Sequence, residues 1–302
     1  MSSAVEIIPS HQINKSKWDA CICSSSNALI YATSFYLDHM ADNWHGIVVS
    51  DYDCVMPLPW RKKFGIKYCY DIPFIQQLGW FEQHQINNLL LLIKKFFGFY
   101  SYGDYAFNFH NTQKITNASI CSNYVLDLSK SYNRLKENYN TDLIYNLKKA
   151  YKQELTYSHG EYNTAIDLYK DLYKQRMLHV SDKDFKNLRL LCSYLSKSNN
   201  VVVRNILNVK NELLAIALLL KDEKRLYNMM NSTTEGGRKT EANHFLFDSI
   251  FKEFSESNLL FDFEGSDIPG IKNFYEKFGA VNQPYYKLYF NHLPFPFNIL
   301  KR

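Results

Sequence analysis

The sequence has little glycine or proline, and it lacks the patterns that bind metals. Only 11 Gly and 8 Pro occur among 302 residues, and no stretch rich in them marks a linker, so we expect any two halves to pack together. The six cysteines show neither paired metal spacing nor a dense disulfide framework. Cys21 and Cys23 could form a metal or redox pair, but no second Cys/His pair lies at a usable distance. We therefore expect reduced, mostly buried thiols in a cytoplasmic protein.

Several catalytic and targeting signatures are also absent. The histidines form no ligand spacing, and neither a Gly-x-Ser-x-Gly elbow nor a Ser-His-Asp order occurs, which argues against metal sites and serine hydrolases. The N-terminus has no basic start followed by an apolar core, so secretion is not expected. The most apolar stretch, residues 89–100, contains Lys94 and Lys95 and is too short to span a bilayer, so it predicts a buried helix.

The charge excess is small as well, and the composition is that of a folded globular protein. The net charge of +5 is compatible with anionic ligands and does not require nucleic acid. Hydrophobic residues make up 46% and aromatic residues 16%, with 23 Tyr and 21 Phe. Such aromatics bury large areas while tyrosine keeps a polar tip, which suits thick cores and groove walls. The length favours two medium-sized domains.

One order of elements occurs twice along the chain. A hairpin, a loop, a helix and a strand are predicted at residues 47–58, 84–97 and 105–109, and again at 201–220, 242–254 and 259–264. The two series are offset by about 160 residues, which indicates a duplicated α/β unit. We place the boundary near Leu128, giving halves 1–128 and 129–302, with further helices between residues 131 and 198.

The richest local pattern lies near the end of the second series. Residues 259–264 alternate, so Asp262 and Glu264 are expected to share one face of a strand end. Ser266 or Asp267 would cap the helix that follows, and Pro269 would occupy its first turn. Apolar residues at helical spacing continue this helix, and Gly279 is placed to end it.

A family resemblance becomes visible in this segment. Residues 273–280 (NFYEKFGA) are similar to the helix-ending motif of GNAT-superfamily acyltransferases, with Ala280 in place of the last aromatic residue. The wider string from Asp262 to Gly279 resembles the Fem-type branch, which includes peptidoglycan-bridge aminoacyltransferases, and residues 146–150 (NLKKA) resemble a helix motif of that branch. The resemblance implies an α/β (α+β) fold of two tandem GNAT-like domains, each a mixed, mostly antiparallel sheet flanked by helices.

The resemblance also implies catalytic roles. Tyr275 matches the tyrosine that often protonates the leaving thiolate, a task suited to a phenol of normal pKa. Glu264 or Asp262 would deprotonate the attacking amine. Structural alternatives stay open, because Tyr275 could be a core aromatic and the carboxylates could cap the next helix.

Binding residues follow in the same way. The segment 233–239 stands where the family holds the diphosphate of acyl-CoA on backbone amides, which makes Gly236, Gly237, Arg238, Lys239 and Asn243 the cofactor-binding candidates. The glycine signature is altered, because Glu241 and Asn243 stand at its two glycine positions, and a solvated loop is the alternative. In the family the N-terminal copy helps bind the acceptor, so Gln76 and Gln77 are the acceptor candidates.

The leading hypothesis is a bacterial, cytoplasmic Fem-type N-acyltransferase. It would move an acyl group from acyl-CoA to the amine of a small molecule or peptide, with the N-terminal domain on the acceptor side and the C-terminal domain on the donor side. It would need no metal and no membrane span. An aminoacyl-tRNA donor, or a non-catalytic GNAT-fold binding protein, are the alternatives.

Overall fold

The computed structural model describes residues 4–83, 89–111, 115, 118–265 and 267–299, so the predicted helix start at His84 and the predicted cap Ser266 lie outside the described residues. The strands are β1 Val5–Pro9, β2 Trp44–Val49, β3 Cys54–Pro59, β4 Arg61–Lys63, β5 Ile66–Tyr68, β6 Phe81–Glu82, β7 Tyr102–Phe107, β8 Ser119–Cys121, β9 Tyr124–Asp127, β10 Thr156–His159, β11 Val201–Leu207, β12 Leu213–Lys221, β13 Arg225–Thr233, β14 Leu260–Asp262, β15 Val281–Asn282 and β16 Tyr285–Asn291. The α-helices are α1 Lys15–Ser24, α2 Ser34–Met40, α3 Leu89–Phe99, α4 Tyr132–Lys136, α5 Thr141–Ala150, α6 Tyr162–Tyr173, α7 Asp182–Ser196, α8 Glu235–Lys239, α9 Ala242–Phe254 and α10 Pro269–Glu276.

The chain forms two compact units. One consists of Met1–Cys121 with Pro284–Arg302, and the other of Ser122–Gln283. These units differ from the predicted halves at both ends of the second domain. Strand β9 precedes the predicted boundary but pairs with β14 and β15 of the second unit. Strand β16 comes after it but pairs with β7 and β8 of the first unit. Such long-range pairings leave no local trace in the sequence.

The described residues of the first unit form two sheets and three α-helices. One sheet has the order β1-β2-β3-β6 and the other β4-β5-β7-β16-β8. The predicted first hairpin is confirmed as β2 and β3, which pair antiparallel from Trp44↔Pro59 to Val49↔Cys54. Among the described residues, β6 pairs only with Cys54 and Val55 of β3. Pro57 and Pro59 therefore lie where the described structure shows no strand on the other side of β3, and a missing amide hydrogen costs little there.

The second unit is a seven-stranded sheet with helices against it. The order is β10-β11-β12-β13-β14-β9-β15, and only β13 and β14 are parallel among its described pairs. The predicted hairpin at 201–220 and the helix at 242–254 are confirmed as β11, β12 and α9. The fold class predicted from the sequence, mixed and mostly antiparallel sheets flanked by helices, is likewise confirmed.

Strands β13 and β14 separate after a short common stretch. They pair only from Arg225↔Leu260 to Tyr227↔Asp262, whereas β13 continues to Thr233. The register of β13 against β12 also shifts there, since Leu218 faces Met230 and Leu219 faces Asn228. Met229 is therefore the extra residue of a β-bulge, which increases the local twist. The result is a gap in the sheet beside the second half of β13.

Aromatic packing fixes the helices on either side of this gap. Phe247 and Phe251 of α9 contact Phe261, Phe263 and Phe278, with ring centroids 5.0–5.9 Å apart. Such edge and offset contacts add to the burial of large apolar area, so the second unit has a dense core directly under the segment that follows β14.

The helix after β14 begins and ends close to its predicted limits. Pro269 stands in the first turn of α10, as expected. The N-cap is Ile268 rather than Asp267, because the Asp267 carboxylate accepts a hydrogen bond from the Ser122 amide at 3.1 Å instead. Gly279 follows the helix with a φ of +78°, and a Cβ there would lie 2.6 Å from the Asn138 side chain. Within the described part of the chain, no helix combines the length and apolarity that a bilayer crossing requires.

Candidate functional site

A large open cavity occupies the gap between β13 and β14 in the second unit. Its volume is about 680 Å³, and it is lined by side chains from α6, β13, the start of α9, the segment after β14, and α10. Cavities of this size, largely apolar with a few convergent polar groups, are the usual form of small-molecule sites. The lining includes, from the predicted site residues, Gly237, Arg238, Asn243, Glu264 and Tyr275.

Glu264 is placed in this cavity by an unusual backbone conformation. Strand β14 ends at Asp262, and Glu264 has a φ of +64°, in the left-handed region that a non-glycine residue rarely adopts. One of its carboxylate oxygens is buried and has no hydrogen-bond partner among the described residues. Burial raises the pKa of Glu264 to about 8, because the ionised form loses solvation. A carboxyl group with this pKa is mostly protonated at pH 7 and becomes able to accept a proton as the pH rises towards 8.

Asp262 has a different environment from Glu264. It is fully buried, and its Oδ2 accepts hydrogen bonds from Arg225 Nη1 at 2.8 Å and Asn123 Nδ2 at 3.3 Å. Its Oδ1 accepts from the Glu264 amide at 3.0 Å. Asp262 is not among the cavity-lining residues, and the expected face shared by the two carboxylates is not formed, because the strand stops between them. Its visible role is to hold β13 to β14 through a buried ion pair.

Tyr275 lies beside Glu264 in the cavity wall and also packs in the core. The residue is 9% exposed, and its ring centroid is 4.4 Å from that of Phe263 and 6.0 Å from that of Tyr124. Burial, with a smaller effect of the nearby Glu264 charge, raises the pKa of Tyr275. The phenol therefore stays protonated at neutral pH. This packing agrees with the core-aromatic interpretation, whereas the acid role stays a prediction, because a phenol with a raised pKa is a weaker acid than the normal one that was expected.

The expected glycine loop is a short helix. Thr234 caps α8 by accepting a hydrogen bond from the Gly237 amide at 3.1 Å. A Cβ at Gly237 would lie 2.1 Å from the Leu214 carbonyl oxygen, so this glycine lets α8 approach β12. Gly236 is exposed and does not line the cavity. Lys239 also lies outside the lining and pairs with Glu235 at 2.7 Å.

Arg238 and Asn243 do reach the cavity. Arg238 donates from Nη1 to the Thr233 carbonyl at 2.9 Å and is otherwise exposed at the rim. The Asn243 Oδ1 accepts from Asn231 Nδ2 at 2.9 Å, which joins the first turn of α9 to β13. Two of the five cofactor-binding candidates thus present polar side chains to the cavity, and Gly237 contributes only backbone.

Gln76 and Gln77 lie in the first unit. Gln77 is fully buried, donates to Gln76 Oε1 at 2.6 Å and accepts from the Phe109 amide at 3.1 Å. Both residues line a void of about 20 Å³, which is room for about one water molecule. The geometry gives Gln77 a structural role, and the expectation that the pair binds an acceptor stays a prediction.

No cluster of three or more His, Cys, Asp or Glu side chains that could hold a metal ion occurs among the described residues.

Comparison with solved structures identifies the architecture. FemX superimposes with a TM-score of 0.67 at 13% identity, covering 98% of this chain and 99% of that one. A conserved protein of unknown function from Bacteroides thetaiotaomicron gives 0.60 at 9% identity, covering 91% and 97%. The L-PGS structure from Bacillus licheniformis gives 0.51 at 10% identity, covering 95% of each chain. The chain has the Fem-like tandem GNAT fold. No protein-family model matches the sequence, and no curated protein matches it.

The superpositions establish the Fem-like fold. At identities this low they assign no functional residue, so the chemistry of the site depends on its own geometry. Sequence reasoning missed several residues that line the cavity. Asn228 of β13 is 6% exposed, and its side-chain oxygen is buried without a hydrogen-bond partner among the described residues. His244 of α9 bonds to Glu241, with Nδ1 and Oε2 3.0 Å apart. The three-residue spacing of Glu241 and His244 was a local signal, whereas Asn228 had none.

Proposed function

We propose that the second unit catalyses transfer of an acyl group from an activated ester or thioester to an amine. The observation that carries this proposal is that Glu264 and Asn228, each with a buried side-chain oxygen that has no hydrogen-bond partner among the described residues, line one cavity together with Tyr275. Both oxygens are hydrogen-bond acceptors, and a buried acceptor that receives no hydrogen bond destabilises the folded protein. A ligand that supplies N–H groups, as an amine does, would satisfy them.

The chemistry follows from the two titratable groups. The Glu264 carboxylate takes a proton from the amine nitrogen as that nitrogen forms its bond to the acyl carbon. The carbon–sulfur or carbon–oxygen bond to the carrier then breaks, and the Tyr275 hydroxyl gives its proton to the leaving atom. Glu264 afterwards releases its proton to solvent, and Tyr275 regains one, so the protein returns to its starting state.

The shape of the gap supports this use. β14 leaves the side of β13 after Tyr227, so the backbone from Asn228 onward borders the cavity instead of a neighbouring strand. A carrier arm that extends along this edge would bring its carbonyl between β13 and the Glu264 segment, where backbone groups polarise it. Met229, Met230 and Phe247 supply apolar wall for the arm and the acyl group.

Acyl-CoA is the donor that the sequence suggests. Its thioester arm and its diphosphate differ in how well they fit this cavity. The apolar gap suits the thioester arm. The diphosphate end does not fit the residues present, because the Gly237 amide already donates to the hydroxyl of the N-cap Thr234, and Glu241 places a carboxylate at the start of α9. The proton transfers by Glu264 and Tyr275 do not require CoA. The acceptor is a small-molecule or peptide amine, and an acceptor role for the first unit is part of the proposal.

A coupled screen tests the function. The whole chain is incubated with acetyl and longer acyl thioesters of pantetheine and of CoA and with a set of amines, and amide products are detected by mass spectrometry. Glu264→Gln should lower kcat/KM by about 10²–10⁴-fold. Glu256→Gln is the matched control, because Glu256 is an exposed glutamate of the same unit with a left-handed φ of 61°. Failure to form any amide would support a binding module without catalysis, and equal turnover by Glu264→Gln would remove the base role of Glu264.

A further inference from the structure

Glu241 is a second left-handed glutamate in the cavity wall. Its φ is +57°, it stands at the N-cap of α9, and it lines the same cavity as Glu264. Glycine adopts this conformation without strain, whereas a glutamate does not, so the surroundings must hold it there. Residues kept in such conformations concentrate at functional sites, so Glu241 is a candidate functional residue of this cavity.

The Glu241 side chain lies over the first turn of α9. Its Oε2 contacts Nδ1 of His244, three residues further along the helix, at 3.0 Å, and its Oε1 is 4.0 Å from Lys149 Nζ. The side chain is 22% exposed. The first amides of a helix have no partner within the helix, and together with the helix dipole they attract anions. The carboxylate of Glu241 thus sits beside the place where an anionic ligand would otherwise bind.

The neighbouring charges only partly offset this carboxylate. Burial lowers the pKa of His244, against a smaller raising effect of Glu241, so the imidazole is neutral at pH 7 and adds no positive charge. Lys149 lies at the limit of an ion pair with Glu241, and the Arg238 guanidinium is committed in part to the Thr233 carbonyl. A ligand diphosphate next to α9 would therefore meet a fixed negative charge in a partly buried setting.

We infer that Glu241 is a specificity-determining residue that selects against acyl donors carrying a diphosphate at the start of α9. The inference rests on the proposed function and narrows the donor class. The donor is an ester or thioester whose group next to the start of α9 is neutral or cationic. An ester or thioester donor of this class keeps the apolar contacts along β13 and avoids the repulsion. This explains the altered glycine signature of the sequence. A glycine at position 241 would leave the first amides of α9 accessible to an anionic ligand, whereas Glu241 places a negative charge beside them.

The test compares two probes that share one thiol arm. Pantetheine lacks the nucleotide diphosphate that CoA carries, and binding of each to the full chain is measured by calorimetry. In the unaltered protein CoA should bind no more tightly than pantetheine, and Glu241→Gly should tighten CoA by about tenfold without changing pantetheine. Glu241→Gln should give part of this gain. Glu154→Gly is the matched control, because Glu154 is an exposed glutamate of the same unit with a φ of 50°.

Two results would overturn the inference. One is tighter binding of CoA than of pantetheine by the unaltered protein. The other is no gain in CoA affinity in Glu241→Gly, with circular dichroism showing that the variant is folded. The proposed function fails separately. A gain of CoA affinity in Glu241→Gly without amide formation from any donor would contradict acyl transfer and leave the role of Glu241 intact.

Discussion

Glu264→Gln should change how the stability of the protein depends on pH, and this can be measured without a substrate. The pKa of Glu264 is about 8 in the folded protein and 4.5 in the unfolded chain. Between these values the folded protein keeps a proton that the unfolded chain releases. The free energy of unfolding therefore falls as the pH rises from about 4.5 to about 8 and changes no further above that.

The size of the effect follows from the two pKa values. Their difference, at about 1.4 kcal/mol for each pH unit, sets an upper limit of roughly 5 kcal/mol. The open side of the cavity admits water, which reduces the penalty for the charged form, so we expect roughly half of that limit. The Gln side chain has no charge to bury, and Glu264→Gln should lack this contribution.

The assay is urea unfolding followed by far-ultraviolet circular dichroism at pH values from 5 to 9. Tryptophan fluorescence is unsuitable, because all four tryptophans, at positions 18, 44, 60 and 80, belong to the first unit. The difference in unfolding free energy between Glu264→Gln and the unaltered protein should grow with pH in favour of the variant and level off near pH 8. Parallel curves for the two proteins would refute the raised pKa, and Glu256→Gln should follow the unaltered protein.

Three further changes have expected outcomes. Arg225→Met leaves the Asp262 carboxylate buried without its cation and should lower the free energy of unfolding by about 3–5 kcal/mol. Adding Asp262→Leu to this variant should recover part of the loss. Additive losses of the two substitutions in urea unfolding would contradict a stabilising ion pair. Gly237→Ala pushes a methyl group against a β12 carbonyl and should lower the stability by more than about 1 kcal/mol, while exposed Gly236→Ala should be close to neutral, as thermal unfolding can show. Tyr275→Phe should leave stability nearly unchanged and lower kcat at least about tenfold in the amide-forming assay, and unchanged turnover would remove its acid role.

Elements set by local periodicity could be predicted from the sequence. The apolar spacing of α9, the Pro269 start and Gly279 end of α10, and the β-branched hairpin of the second unit all appear in the structure close to their predicted places. These signals arise within one helix or one strand pair, where side-chain period and backbone conformation are coupled directly. The Fem-like architecture was expected from a different source, the resemblance of the string from Asp262 to Gly279 to that branch.

The remainder depended on contacts that sequence periodicity does not encode. β16 returns to the first unit by pairing with β7 and β8, which lie far earlier in the chain. Alternation predicted a shared face for Asp262 and Glu264, but alternation holds only while the strand continues, and the left-handed Glu264 ends it. Asn228 becomes a cavity residue only because β14 leaves the side of β13. Each of these positions is set by tertiary packing.

The most direct test of the account is the pH dependence of amide formation by the unaltered chain and by Glu264→Gln, on the first thioester and amine that react. The account predicts that kcat/KM of the unaltered protein rises with pH and levels off near about 8, where Glu264 becomes ionised. The Glu264→Gln variant should show a low rate without this rise. A flat profile in the unaltered protein, or the same rise in Glu264→Gln, would contradict a catalytic role for the Glu264 carboxylate.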